Sequence, residues 1–160
     1  MKNAAPALTL GFLLAAPAAA IAQTAKDLVG TWKNTGNVTV AADGKRTDIF
    51  GAHGTGMAIF SADGHFVIVN INPDTAKFAS NNRAQGTSDE NKAAVAGGIG
   101  LYGSYSVSGK SISLKIEGST FPNWTGTETK RDIVKFKPGE FTWGLNNSLG
   151  GRGEVTWKKM

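Results

Sequence analysis

Val107-Ser108-Gly109-Lys110-Ser111-Ile112-Ser113-Leu114-Lys115-Ile116-Glu117 is the stretch that decides the fold. Ile112, Leu114 and Ile116 alternate with Ser113, Lys115 and Glu117, the period-two pattern of a strand with one buried and one wet face. Just upstream, Ile99, Leu101, Gly103, Tyr105 and Val107 share one face of a preceding strand, and Ser108-Gly109-Lys110 supplies the turn between the two. The unit is an antiparallel hairpin, and the same pattern recurs on both sides of it.

Upstream, Met57 to Ser61 and His65 to Asn72 flank Ala62-Asp63-Gly64, and both arms are rich in β-branched and aromatic residues. Further upstream, Asp27 to Thr35 reads as a first strand and Asn37 to Ala41 as a second, ended by the turn Ala42-Asp43-Gly44-Lys45. Downstream, Thr125 to Phe136 and Phe141 to Leu145 surround Lys137-Pro138-Gly139-Glu140, and Gly153 to Lys158 forms a last strand with Val155 and Trp157 on its apolar face. About eight or nine strands joined mostly by tight turns predict an all-β, antiparallel up-and-down barrel, since a short chain with that many strands curls and closes. A two-sheet sandwich is the structural alternative.

One segment breaks the β pattern. Pro73 to Gly98 begins polar and Asn-rich, and Thr87-Ser88-Asp89-Glu90 then carries the spacing of a capping box, so a short helix is expected before the stop at Gly97-Gly98. Long connections of this kind serve as surface excursions, lids or binding loops.

Composition narrows the function classes. Of 160 residues, 41% are hydrophobic and 18% charged, the range of a globular domain. Lys2 followed by an apolar run closing on Ala20-Ile21-Ala22 reads as a secretory signal peptide over residues 1–22, cleaved after Ala22, leaving one domain over 23–160. The run is too short for a spanning helix and contains Pro6 and Pro17, so stable membrane insertion is not expected. With no cysteine there is neither a disulfide framework nor a site for a lipid anchor, and the expected location is the periplasm or the exterior. The net charge of +5 is spread rather than gathered with aromatics on one element, which argues against nucleic acid as a partner.

Leu28-Val29-Gly30-Thr31-Trp32 resembles the Gly-x-Trp opening of lipocalins, in which the Trp closes one end of the barrel. Asp43-Gly44-Lys45-Arg46, Gly56-Met57-Ala58-Ile59-Phe60, Phe78-Ala79-Ser80-Asn81-Asn82-Arg83, Glu90-Asn91-Lys92, Tyr102-Gly103-Ser104-Tyr105 and the block Ile116 to Trp124 extend the likeness over nearly the whole mature region. Together these resemble the bacterial lipocalin-like domain family. The resemblance implies a calycin-type barrel and no general activity.

Neither His53 nor His65 sits in a metal-binding spacing, no Gly-x-Ser-x-Gly elbow occurs, and the glycines around His53 lack a following Lys-Ser or Lys-Thr. No metal, cofactor or catalytic constellation is therefore expected. Aromatic and polar residues suited to a small-molecule pocket are Tyr105, Glu117, Phe121, Asn123, Trp124, Arg83 and Arg131, with Glu90 and Tyr102 in the wider set. Strand parity sets Tyr102 opposite Tyr105, and Glu117 either faces solvent or pairs with Arg131 or Arg83. The reading favoured is a carrier or sensor of a small, mainly hydrophobic molecule. Its rivals are a cyclase or isomerase acting on a lipid or polyketide-like substrate through Glu117, Tyr105 and Arg131, and an envelope inhibitor presenting a loop. The oligomeric state stays open.

Overall fold

The computed structural model describes residues 23–146 and 151–160, and the expected leader over 1–22 lies outside them. The elements in chain order are α1 Ala25–Leu28, β1 Gly30–Val40, β2 Arg46–Asp48, β3 Thr55–Phe60, β4 His65–Ile71, α2 Ser88–Ala96, β5 Gly98–Ser108, β6 Ser111–Ser119, β7 Glu128–Lys137, β8 Glu140–Asn146 and β9 Arg152–Lys159. From β3 onward each strand pairs antiparallel with the next, and β9 returns to pair with β1 from Trp32–Lys159 to Val40–Arg152. The sheet therefore closes. Along its other edge, β1 carries β3 against Gly30 to Asn34 and the short β2 against Val38 to Val40, so the barrel has eight positions and β2 is an extra strand.

The N-terminal boundary differs from expectation. Residues 25–28 are helical, with the Asp27 carboxylate accepting hydrogen bonds from Thr24 N–H at 2.7 Å and its hydroxyl at 3.0 Å. The strands expected on either side of Gly36 are one continuous strand, because the register against β9 skips Thr35 in a bulge rather than breaking. The hairpins, the Thr87 to Glu90 cap and the last strand lie within a few residues of the positions read from the pattern.

A meander alternates its loops between two ends, and here the ends differ. Tight turns at Ala62-Asp63-Gly64, Gly109-Lys110 and Pro138-Gly139 gather at one end, together with α1. The long connections 41–54, 72–97 and 120–127 gather at the other. Large side chains fill the short-loop half: Leu28, Trp32, Phe60, Phe66 and Phe141 are all buried. The Trp32 and Phe141 rings meet edge to face at 4.7 Å, and those of Phe60 and Tyr105 at 5.0 Å. Trp32 Nε1–H donates to the Leu28 carbonyl at 2.7 Å, which ties α1 across the barrel end.

Outside the barrel wall, a charge cluster joins β2 to β9 over β1. Glu154, buried, accepts from Arg46 Nη2 at 2.9 Å and is also bonded to Arg152. Burial raises the Glu154 pKa, but the hydrogen bonds and charges of the two arginines outweigh it and hold the carboxyl below its ordinary value of 4.5. Because the folded value is the lower one, this stabilisation is complete above the unfolded value and is lost as the pH falls through the folded one. Glu154→Gln is expected to cost about 1–2 kcal/mol of unfolding free energy at pH 7. In urea titrations the gap to wild type should narrow below pH 4.5; an equal gap at pH 3 and pH 7 would contradict this account.

Candidate functional site

A cavity of about 710 Å³ occupies the long-loop half of the barrel. That volume lies within the range of small-molecule pockets, about 300–1,000 Å³. Strand parity makes its wall. Ile68 of β4, Leu101 of β5, Leu114 of β6, Val155 and Trp157 of β9 and Trp143 of β8 turn inward, so the interior is chiefly apolar. The mouth is apolar as well: Ile49 and Phe50 come from the β2–β3 connection, Val95 from the last turn of α2, and Phe121 and Trp124 from the β6–β7 connection. Of these, Ile49, Val95, Phe121 and Trp124 are exposed, an uncommon concentration of apolar surface around one opening.

The aromatic pair at the mouth is built locally. Pro122–Trp124 forms a single 3-10 turn, Trp124 N–H donates to the Phe121 carbonyl at 3.0 Å, and the two rings lie edge to face at 5.7 Å. Ser119 Oγ accepts from Phe121 N–H at 3.1 Å, which ties the turn to the end of β6. Opposite, Glu90 fixes the insertion: its carboxylate accepts from Ala79 N–H and Thr87 N–H, each at 2.7 Å, while Thr87 Oγ1 accepts from Glu90 N–H. Those bonds, the Ala79 one foremost, lower the Glu90 pKa. The insertion is thus held to its own helix, and the C-terminal turn of α2 borders the cavity mouth.

A few polar groups face this apolar space. Arg131 lies on the inward face of β7 with Thr129 and Ile133, is 93% buried by its 7% exposure, and borders the cavity. Its Nη1 donates to Thr129 Oγ1 and to the Lys130 carbonyl, whereas Nε and Nη2 bond no protein group. No carboxylate among the described residues pairs with it. Burial pushes its pKa down to about 10, so it is still cationic at neutral pH. Asn70 of β4 also turns inward with its Oδ1 unbonded, and Trp157 Nε1 has no acceptor.

Three of the residues singled out in the sequence therefore meet at one cavity: Phe121, Trp124 and Arg131. The others do not line it. Tyr105 is inward but belongs to the packed short-loop half, its hydroxyl donating to the Ser61 carbonyl at 3.0 Å; burial, then the Asp63 charge, raises its pKa. Glu117 is the extra residue of a bulge where Tyr102 pairs with Gly118 and Gly103 with Ile116, and it is exposed with no ion pair to Arg131 or Arg83. Tyr102 faces out and its ring covers Gly118. Asn123 and Arg83 are exposed on their loops. Glu117, Tyr105 and Arg131 thus have no common space in which to act on one substrate. His53 and His65 are exposed, beside Asp74 and Asp63 respectively.

Asn70 escaped the sequence reading. Phe66, Val67, Ile68, Val69 and Ile71 are all apolar, so parity within that strand is ambiguous, and only the register with β5 shows Asn70 inward opposite Ile99.

Among solved structures, the fold is similar to a redesigned β-barrel (14% identity, TM-score 0.44, covering 89% of this chain and 99% of that one). A de novo designed fluorescence-activating β-barrel gives 16% and 0.42, covering 85% of this chain and 96% of that one. A redesigned barrel bound to DFHBI gives 21% and 0.40, covering 85% and 98%. Likeness at this level carries no functional argument. No curated protein matches the sequence. Residues 29–160, which contain all nine strands, match the model of the lipocalin-like domain, and the chain belongs to that family.

Proposed function

We propose that the protein is an exported carrier or sensor that holds a small, mainly hydrophobic molecule inside its barrel. The observation that supports this reading is the 710 Å³ cavity with its apolar wall and its ring of exposed apolar side chains at the mouth. Burying a ligand there removes apolar surface from water on both partners, about 25 cal/mol per Å² before the entropic cost of association. Exposed Phe121, Trp124 and Val95 would be covered in the same step. Export rests on the leader pattern of residues 1–22.

The test is a titration of the delipidated mature protein with an uncharged fluorescent probe such as N-phenyl-1-naphthylamine. Saturable binding at one site is expected. Ile99→Trp adds bulk from the cavity wall, where Ile99 is only partly buried, and should weaken the probe at least tenfold, roughly 1.4 kcal/mol, with the fold unchanged by circular dichroism. Probe binding that is non-saturable, or indifferent to Ile99→Trp, would sink the cavity reading.

A further inference from the structure

The interior cation has no counter-charge. An ionised group out of water is costly unless paired, and buried arginines are ordinarily matched to carboxylates. Arg131 lies at 7% exposure on the inward face of β7. Two bonds to neutral oxygens occupy its Nη1, and the N–H groups of Nε and Nη2 meet no protein acceptor. Those two nitrogens form one edge of the planar guanidinium fork, the edge whose geometry matches both oxygens of a carboxylate at once. The remaining wall is apolar, with Leu101, Leu114 and Val155 bordering the same space, and the exposed Phe121 and Trp124 stand at its opening.

We propose that Arg131 is a head-group anchor, and that the cavity takes a monocarboxylate amphiphile with its carboxylate inward on the guanidinium and its hydrocarbon tail directed toward Phe121 and Trp124. This rests on the cavity-binding reading above and specifies the ligand class. The charge pair completes an interaction that the protein alone leaves half made, while each methylene along the wall adds apolar burial. Arg131 is the one cation among the described residues that line the cavity, and the mouth around Phe121 and Trp124 is apolar, so a second carboxylate at the far end of the chain gains no partner and a single acidic head is favoured over a diacid.

Calorimetric titration of the delipidated mature protein with dodecanoate, dodecan-1-ol and dodecanedioate tests it. Dodecanoate is expected to bind at least tenfold more tightly than the alcohol and the diacid. Arg131→Met, neutral and of similar length, should erase the acid preference and leave dodecanol within about threefold of wild type, while Arg131→Lys should keep part of the preference. Equal affinity of wild type for acid and alcohol overturns the anchor without any variant, as does an acid preference that survives Arg131→Met. If the uncharged naphthylamine probe saturates but the acid is not preferred, the anchor fails and the cavity reading stands. If no apolar probe binds, both fail.

Discussion

Trp32→Ala is expected to lower the unfolding free energy by about 3–5 kcal/mol, roughly a fifth or more of the stability of an ordinary domain. Trp32 is 1% exposed, its ring meets Phe141 at 4.7 Å, and Lys159 Nζ stands 5.4 Å from its centroid. Truncation removes that burial and the edge-to-face contact, and it strands the Leu28 carbonyl that Trp32 Nε1–H now satisfies. Surrounding side chains cannot collapse into the gap, because Leu28 and Phe141 are each fixed by their own strand or helix. Trp32→Phe keeps most of the ring volume and loses the N–H, so about 1–2 kcal/mol is expected from it. Equilibrium denaturation reads both. A Trp32→Ala loss below about 1 kcal/mol would mean that α1 and Trp32 do not close the barrel end.

A methyl group at Gly103 should be nearly as damaging. A Cβ built there lies 2.0 Å from the Lys115 carbonyl oxygen and 2.9 Å from the Glu117 nitrogen, both backbone atoms of β6. Neither can swing aside as a side chain could, so the two strands must separate at the bulge beside Glu117. Gly103→Ala is expected to cost about 3 kcal/mol or more, the upper part of the range for forced overpacking. Gly36→Ala is the internal contrast. Its Cβ would meet Thr156 at 3.8 Å, an ordinary contact, and the change should stay within about 1 kcal/mol. Similar losses for the two variants would show that loss of glycine in general, and not close backbone approach, sets the cost at Gly103.

Much of the barrel was legible because its hairpins write their own period. Ile112, Leu114 and Ile116 alternate with polar residues, and Asp63-Gly64 and Pro138-Gly139 mark the turns. What failed was local. Asp27 and Leu28 read as the start of a strand because the chain continues into Trp32, whereas the helix over 25–28 depends on the Asp27 carboxylate capping Thr24, a spacing less telling than the Thr87 to Glu90 box. The three-residue β2 is too short to carry a period, and it exists because β1 outruns β3 and leaves an edge to pair. The site was half legible. Phe121 and Trp124 stand out as aromatics beside a bend, whereas Arg131 is only one candidate cation in the sequence and its inward place comes from the burial of β7. Of the two readings of Glu117, solvent exposure holds and the pair with Arg131 does not form, because Glu117 keeps the outward parity of Lys115 while Arg131 faces inward from β7.

The joint between β1 and β9 pairs Trp32 with Lys159, residues from opposite ends of the domain. Every other pairing from β3 to β9 links strands adjacent in sequence and can form locally, so closure is the one step that must bring nearly the whole chain together. Until it happens, β1 and β9 each present an unpaired row of backbone donors and acceptors that a neighbouring molecule could use. The vulnerable interval in the life of this protein is thus the moment before the seam shuts. Any condition that delays it, such as dilution of the last strand's contacts by truncation, turns a closed barrel into a strand-exchange template.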